Sequence, residues 1–284
     1  MSVPAIQKNR DGPHYRAPWG KADPTLIRVH GIYNQLLGVH KQASKNHKTR
    51  RERYENAKHD YDLNAAFDIV DEVFSDETLE RIIDDIMRVR LPVRVLMPHP
   101  EWDAGASEAE ISGVTNALPF AYAQRLVREL GGKIDLDIIQ IARPGRTKLK
   151  PFQRFIWQPR FEGAVRHDCA YILVDDVCHF GGTLATLRSH IVENGGTVAS
   201  VSALACNDGK DAQFPIADNT VQMLKLQLDE ALDEIWRKEI GHDTKCLTEA
   251  EGLFLHQWCA KQPKGSRDAL LQRIREEIAT AKAS

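Results

Sequence analysis

The stretch Tyr171 to Leu184, YILVDDVCHFGGTL, constrains this chain more than any other. Tyr171-Ile172-Leu173-Val174 has the length and apolar, β-branched content of a buried strand. It ends at two adjacent carboxylates, Asp175 and Asp176. The turn Val177-Cys178-His179-Phe180-Gly181-Gly182-Thr183 follows, and then a helical pattern from Leu184 to Val192 that stops at Asn194-Gly195-Gly196. Glycines let the backbone approach a ligand closely. The unpaired N–H groups at the helix start, together with the helix dipole, favour an anion in the turn. Carboxylates at the strand end accept hydrogen bonds from hydroxyls. A phosphate beside a pair of hydroxyls describes a ribose 5-phosphate. An αβ turn without a ligand would need only one aspartate and a glycine, which leaves the doubled acid unexplained.

Length and composition bound the rest. The 284 residues allow one large domain or one domain with appendages. With 42% hydrophobic and 27% charged residues the chain is ordinary globular material. A net charge of −2 argues against a surface that seeks nucleic acid globally. No apolar run approaches the ~20 residues of a membrane span, so no membrane association is expected. The polar start, MSVPAIQKNRDGPHYR, has no signal-peptide core. The five cysteines, Cys169, Cys178, Cys206, Cys246 and Cys259, lack C-x-x-C spacing. Neither a disulfide framework nor a cysteine zinc site is expected, and a cytoplasmic protein with reduced thiols is.

In chain order, residues 1 to about 25 read as an extended arm with Tyr15 and Trp19 available to pack. The basic run Lys45-Asn46-His47-Lys48-Thr49-Arg50-Arg51-Glu52-Arg53 is either a solvated helix face or a contact for nucleic acid, a protein or phosphates. Leu63, Ala66, Phe67, Val70, Val73 and Phe74 mark an amphipathic helix. Ser75 or Asp76 caps the next, whose buried stripe is Leu79, Ile82, Ile83, Ile86 and Met87. Val93–Met97 reads as a strand, residues 116–130 as a helix with Pro119 in its first turn, and 136–141 and 197–204 as further strands. Strands alternating with helices predict a parallel α/β sheet with helices on both faces. In such sheets ligands sit beyond the carboxyl ends of the strands, where loops 98–105, 142–163 and 175–183 converge. Loop 142–163 is long and basic, with Arg143, Arg146, Lys148, Lys150, Arg154 and Arg160. It is either a surface hairpin or a mobile cover that neutralises a leaving group. Past residue 210 a stripe from Val221 to Ile235, a capping box at Thr248–Glu251 and a helix after Ser266 predict further helices.

YILVDDVCHFGGTL resembles the phosphoribosyl-pyrophosphate (PRPP) signature of type I phosphoribosyltransferases. Gln153 and Arg160–Val165 are also similar to the competence-associated subgroup. The resemblance covers about residues 92–206. It implies an α/β type I phosphoribosyltransferase-like core over 91–210, an N-terminal arm and helical extension over 1–90, and a C-terminal helical hood over 211–284. It also implies a Mg²⁺-dependent transfer from PRPP to a small-molecule nitrogenous base, with release of pyrophosphate. Carried onto this sequence, Asp175 and Asp176 hold the ribose hydroxyls and help place Mg²⁺, and His179, Phe180, Gly181, Gly182 and Thr183 hold the 5-phosphate. Arg146, Lys148, Lys150 and Arg154 close over pyrophosphate. The loop His99 to Gly105, with Glu101 and Asp103, corresponds to the pyrophosphate loop. His179-Phe180 departs from the family, which usually carries threonine, serine or alanine there. His179 is then either a proton-transfer group or a ring that packs or faces water. The departure keeps open a second function, a non-catalytic PRPP or nucleotide sensor or a partner-gated effector. A homodimer is compatible with the family.

Overall fold

The computed structural model describes residues 16–37, 47–98, 115–142, 150–156, 158–228, 231–262 and 266–283. Strands are β1 Leu26–Ile32, β2 Val93–Leu96, β3 Lys133–Ile134, β4 Ile139–Ala142, β5 Arg160–Glu162, β6 Ala170–Cys178, β7 Thr197–Cys206 and β8 Ala212–Gln213. Helices are α1 Tyr33–Leu36, α2 His47–His59, α3 Leu63–Val73, α4 Asp76–Met87, α5 Leu118–Leu130, α6 Gln153–Ile156, α7 Gly182–Glu193, α8 Asp218–Leu228, α9 Ala231–Glu239, α10 Glu249–Ala260 and α11 Ser266–Ala283.

The fold is α/β. Six strands form one sheet in the order β3-β2-β6-β7-β1-β8. All neighbours are parallel except the β1–β8 pair. Alternation along β6 sorts the core. Ile172 and Val174 pack with Ile69, Val70, Ile82, Leu118 and Tyr122 of α3, α4 and α5 on one face. Tyr171 and Leu173 pack with Leu184, Leu187 and Ile191 of α7 on the other. Helices α8 to α11 build a separate apolar cluster around Trp236, Leu255 and Ile274, which also takes in Phe152 and Phe155. Among the described residues no helix is long and apolar enough to cross a membrane.

Local signals set several boundaries as expected. The Ser75 side chain accepts from Thr78 N at the start of α4. Pro119 lies in the first turn of α5, and Gly131 ends that helix at φ 72°, a conformation that disfavours a β-carbon. Thr248 and Glu251 form a reciprocal capping box on α10. Two expectations change. The strand expected over 136–141 is not in the central sheet. Its place beside β2 is taken by β3, and Ile139–Ala142 pairs antiparallel with β5 instead. The cause is Asp135: its N–H bonds Val95 O at 2.9 Å and its Oδ1 accepts from Asp137 N at 3.0 Å, so the chain turns away after two paired residues. The single stripe expected from Val221 to Ile235 divides into α8 and α9. Strand β1, in the region read as arm and helical extension, was not expected. It pairs with β7 from Ile27↔Val201 to Ile32↔Cys206.

Two buried histidines are held neutral. His30 Nδ1 accepts from Ser75 N at 2.9 Å, and its Nε2 lies 2.9 Å from the Tyr122 hydroxyl. Burial pushes His30 down to about 4, and does the same to His242, which is 1% exposed. Because their folded pKa values lie below the unfolded value, the stability they contribute is complete above about pH 6.5. It is lost as pH falls toward 4, about 2–3 kcal/mol for each histidine. Urea midpoints measured at pH 7.5 and 5 are expected to differ less in His242→Met than in the wild type. An unchanged difference would refute the assignment to His242.

Candidate functional site

The sheet places the acid pair where its order reverses, since β2 continues to β3 on one side while β6 continues to β7 on the other. Strand β6 runs past the expected end at Val174. Asp175 pairs with Ala203, Val177 with Ala205 and Cys178 with Cys206, so both acids lie within the ladder. Adjacent residues in a strand face opposite ways. Asp175 therefore turns toward the α7 side and Asp176 toward the α5 side, so the pair does not act as one two-pronged acceptor.

On the α7 side a small pocket is lined by Asp175, Val177, the whole loop His179 to Thr183, and Arg154. Gly181 caps α7 at φ 72°, and a β-carbon there would lie 3.1 Å from Ile27 Cδ1. The first intrahelical bond is Ala185 N to Gly181 O at 2.9 Å. The amides of Gly182, Thr183 and Leu184 therefore have no intrahelical acceptor, and such a helix start favours an anion. Phe180 is the bulky residue of this loop. Its ring lies 5.4 Å from Phe254 of α10, and its carbonyl accepts from the Thr248 hydroxyl. Phe180 thus ties the loop to the C-terminal helices. Arg16 backs the same loop. It is 1% exposed, and its Nη2 donates to Gly182 O at 3.2 Å, Gln158 Oε1 at 2.9 Å and Glu251 Oε1 at 2.9 Å. Burial would raise the Glu251 carboxyl, but Arg16 outweighs it and holds the group below its ordinary range.

On the α5 side Asp176 is buried and accepts from Lys58 of α2 and from Asn116 Nδ2 at 3.1 Å. Burial works against the charge of both Lys58 and Asp176, but their mutual attraction wins, so the ammonium is raised and the carboxyl lowered. Asp175 goes the other way. Burial, and then the Asp176 charge, push it up to about 8. His179 lies at the surface with its ring 5.7 Å from Tyr33. Partial burial and the nearby Arg154 lower its pKa.

Of the basic-loop residues, Arg154 lines the pocket and burial lowers its pKa. Lys150 is exposed one turn away. Arg146 and Lys148 lie outside the described residues, as do Glu101 and Asp103. In the basic run Arg50 and Arg53 pair with Glu72, and Arg51 with Glu55. Sequence reasoning missed Lys58, Asn116 and Arg16 as parts of the site. Nothing local marks them, since each acts on residues at least 60 positions away.

No protein-family model matches the chain. It is 29% identical over 263 residues to Protein TraN of Escherichia coli, an overlap of 91% of this chain and 50% of that protein. It is 29% identical over 143 residues to an uncharacterized protein of Haemophilus influenzae, covering 49% of this chain and 29% of the other. The chain thus spans half or less of the length of these curated relatives.

Proposed function

We propose that this chain carries a type I phosphoribosyltransferase-like fold. It would bind PRPP at the carboxyl ends of β2 and β6, transfer the phosphoribosyl group to a nitrogenous base and release pyrophosphate. One observation carries the reading: Asp175, the free amides that open α7, and Arg154 share one pocket. The α7 amides and the Thr183 hydroxyl suit a 5-phosphate. Asp175 suits a ribose hydroxyl. Arg154 suits the departing pyrophosphate.

In the transfer, the bond from the anomeric carbon to pyrophosphate breaks with its electron pair on the leaving oxygen. The base nitrogen supplies the pair for the new bond and then sheds its proton. His179, at the pocket mouth and lowered in pKa, can take that proton near neutral pH. Among the described residues no group of three or more His, Cys, Asp or Glu could hold a metal ion. The donor set therefore fits Mg²⁺ only as the family uses it, with Asp175 beside oxygens that the substrate brings. Bound there, Mg²⁺ would neutralise charge on the leaving phosphates.

A second reading, a PRPP or nucleotide sensor or a partner-gated effector, is favoured by the engagement of Asp176 with Lys58 and Asn116, which leaves one acid for the ligand. Purified protein with Mg²⁺, PRPP and a panel of purine, pyrimidine and nicotinate-like bases separates the two. Base-dependent pyrophosphate release is expected for the transferase. Binding of PRPP without release supports the sensor, and no binding removes both.

A further inference from the structure

Gln158 is 1% exposed, and both polar atoms of its side chain are engaged. Its Nε2 donates to Arg154 O at 3.2 Å and to Phe155 O at 3.0 Å, carbonyls that the short helix α6 leaves open. Its Oε1 accepts from Arg16 Nη2 at 2.9 Å and lies 3.2 Å from Thr186 Oγ1 of α7. One side chain thus joins the turn that carries Arg154 to the helix whose first amides open into the pocket. The other side of α6 is seated in apolar contacts. Phe152 and Phe155, three positions apart and so on one side of the turn, are buried. The Phe155 ring lies 5.4 Å from Trp236 and 5.8 Å from Phe254, the residue on which Phe180 also packs. Gln153 Nε2 donates to Glu277 Oε2 of α11 at 2.9 Å. Arg154 is left lining the pocket, beside Asp175 and the loop His179 to Thr183.

We infer that Gln158 is a positioning residue that holds Arg154 at the start of α7 before any ligand arrives. The described end of the basic loop is then a fixed wall of the pocket and not a cover that closes over it. A guanidinium on a free loop must be ordered, backbone and side chain together, when an anion binds, and that ordering weakens binding. With its backbone clamped, Arg154 has only its side chain to order. The burial of Gln158 fits this role. A buried amide destabilises the fold unless its hydrogen bonds are made. Here the partners that satisfy it belong to the two elements whose register matters to the pocket. The inference deepens the proposed function and rests on it for the identity of the anion that Arg154 meets. The clamp itself is a property of the protein without ligand.

Two measurements on the wild type, Gln158→Met, Arg154→Met and the double variant test it. Without ligand, amide hydrogen exchange over residues 150–156 is expected to be roughly 10-fold faster in Gln158→Met than in the wild type. Exchange in α4, which packs on the other face of the sheet from α7, should stay as it was. With PRPP, calorimetric titration is expected to show binding weakened roughly 10-fold by Gln158→Met and about 10–100-fold by Arg154→Met. The two losses should not add. In the Arg154→Met background, Gln158→Met should change the affinity by less than about twofold, because it acts through Arg154. A general packing role would weaken binding equally in both backgrounds, and that result overturns the inference. Unchanged exchange over 150–156 in folded Gln158→Met overturns it too. Should Gln158→Met not fold, Gln158→Glu takes its place in both measurements, since glutamate keeps the acceptor for Arg16 and loses the donor to α6. If the wild type binds no PRPP, the proposed function falls and the exchange result alone decides the inference. If PRPP binds and exchange is unchanged, the inference falls and the proposed function stands.

Discussion

Replacing Arg16 with methionine is expected to destabilise the protein by about 3–5 kcal/mol, because it strands a buried glutamate. Arg16 and the Glu251 side chain are almost wholly shielded from water. The guanidinium also bonds Gln158 Oε1 and Gly182 O, and its Nε bonds Thr186 Oγ1 at 3.3 Å. Removal leaves these acceptors short of a donor as well. For a chain of this size the melting temperature should fall by roughly 6–20 °C. Arg16→Met/Glu251→Leu should recover part of the loss, since replacing both partners with apolar groups removes the uncompensated charge. Thermal and urea unfolding of the two variants decide the matter. A loss under about 1 kcal/mol in the single variant would show that water or a neighbour compensates Glu251.

Asp175→Asn is expected to move stability and binding in opposite directions. The folded-state pKa of Asp175 lies near 8, above its unfolded value. The unfolded chain therefore releases this proton first, and stability falls as pH rises from the unfolded value to about 8. Asparagine resembles the neutral acid and cannot ionise, so the variant should gain about 1 kcal/mol or more at pH 9 relative to the wild type. At the same pH it should bind PRPP about 10–100-fold more weakly, because a charged acceptor for a ribose hydroxyl is gone. Urea denaturation and calorimetric titration at pH 6 and 9 give both numbers. A variant that is less stable at pH 9, or that binds PRPP as well as the wild type does, would contradict the assignment.

Much of the architecture was legible because it is written in local periodicity and punctuation. The run Tyr171 to Val174, the glycines at 181–182, Ser75, Pro119 and Thr248 each act on neighbours within a few residues. What stayed hidden depends on distant partners. The short parallel strand β3 has two residues and no pattern of its own, whereas Ile139 to Ala142 alternates well enough to suit either the sheet or a hairpin. Strand β1 follows a proline-rich arm, and its place beside β7 is fixed by a partner some 174 positions away. The acid pair was visible, but its division between two faces was not. That division follows from β6 continuing to Cys178 and from a lysine 118 positions upstream.

The ring of Phe180 has a consequence for how this protein can be rebuilt. Packed on Phe254, with its carbonyl held by Thr248, it makes the loop before α7 and the start of α10 a single module. A chimera that imports foreign C-terminal helices cannot treat residue 210 as a clean seam. The smallest exchangeable part carries the loop with the helices, so residues 180, 248, 251 and 254 must travel together, along with Arg16 from the far end of the chain.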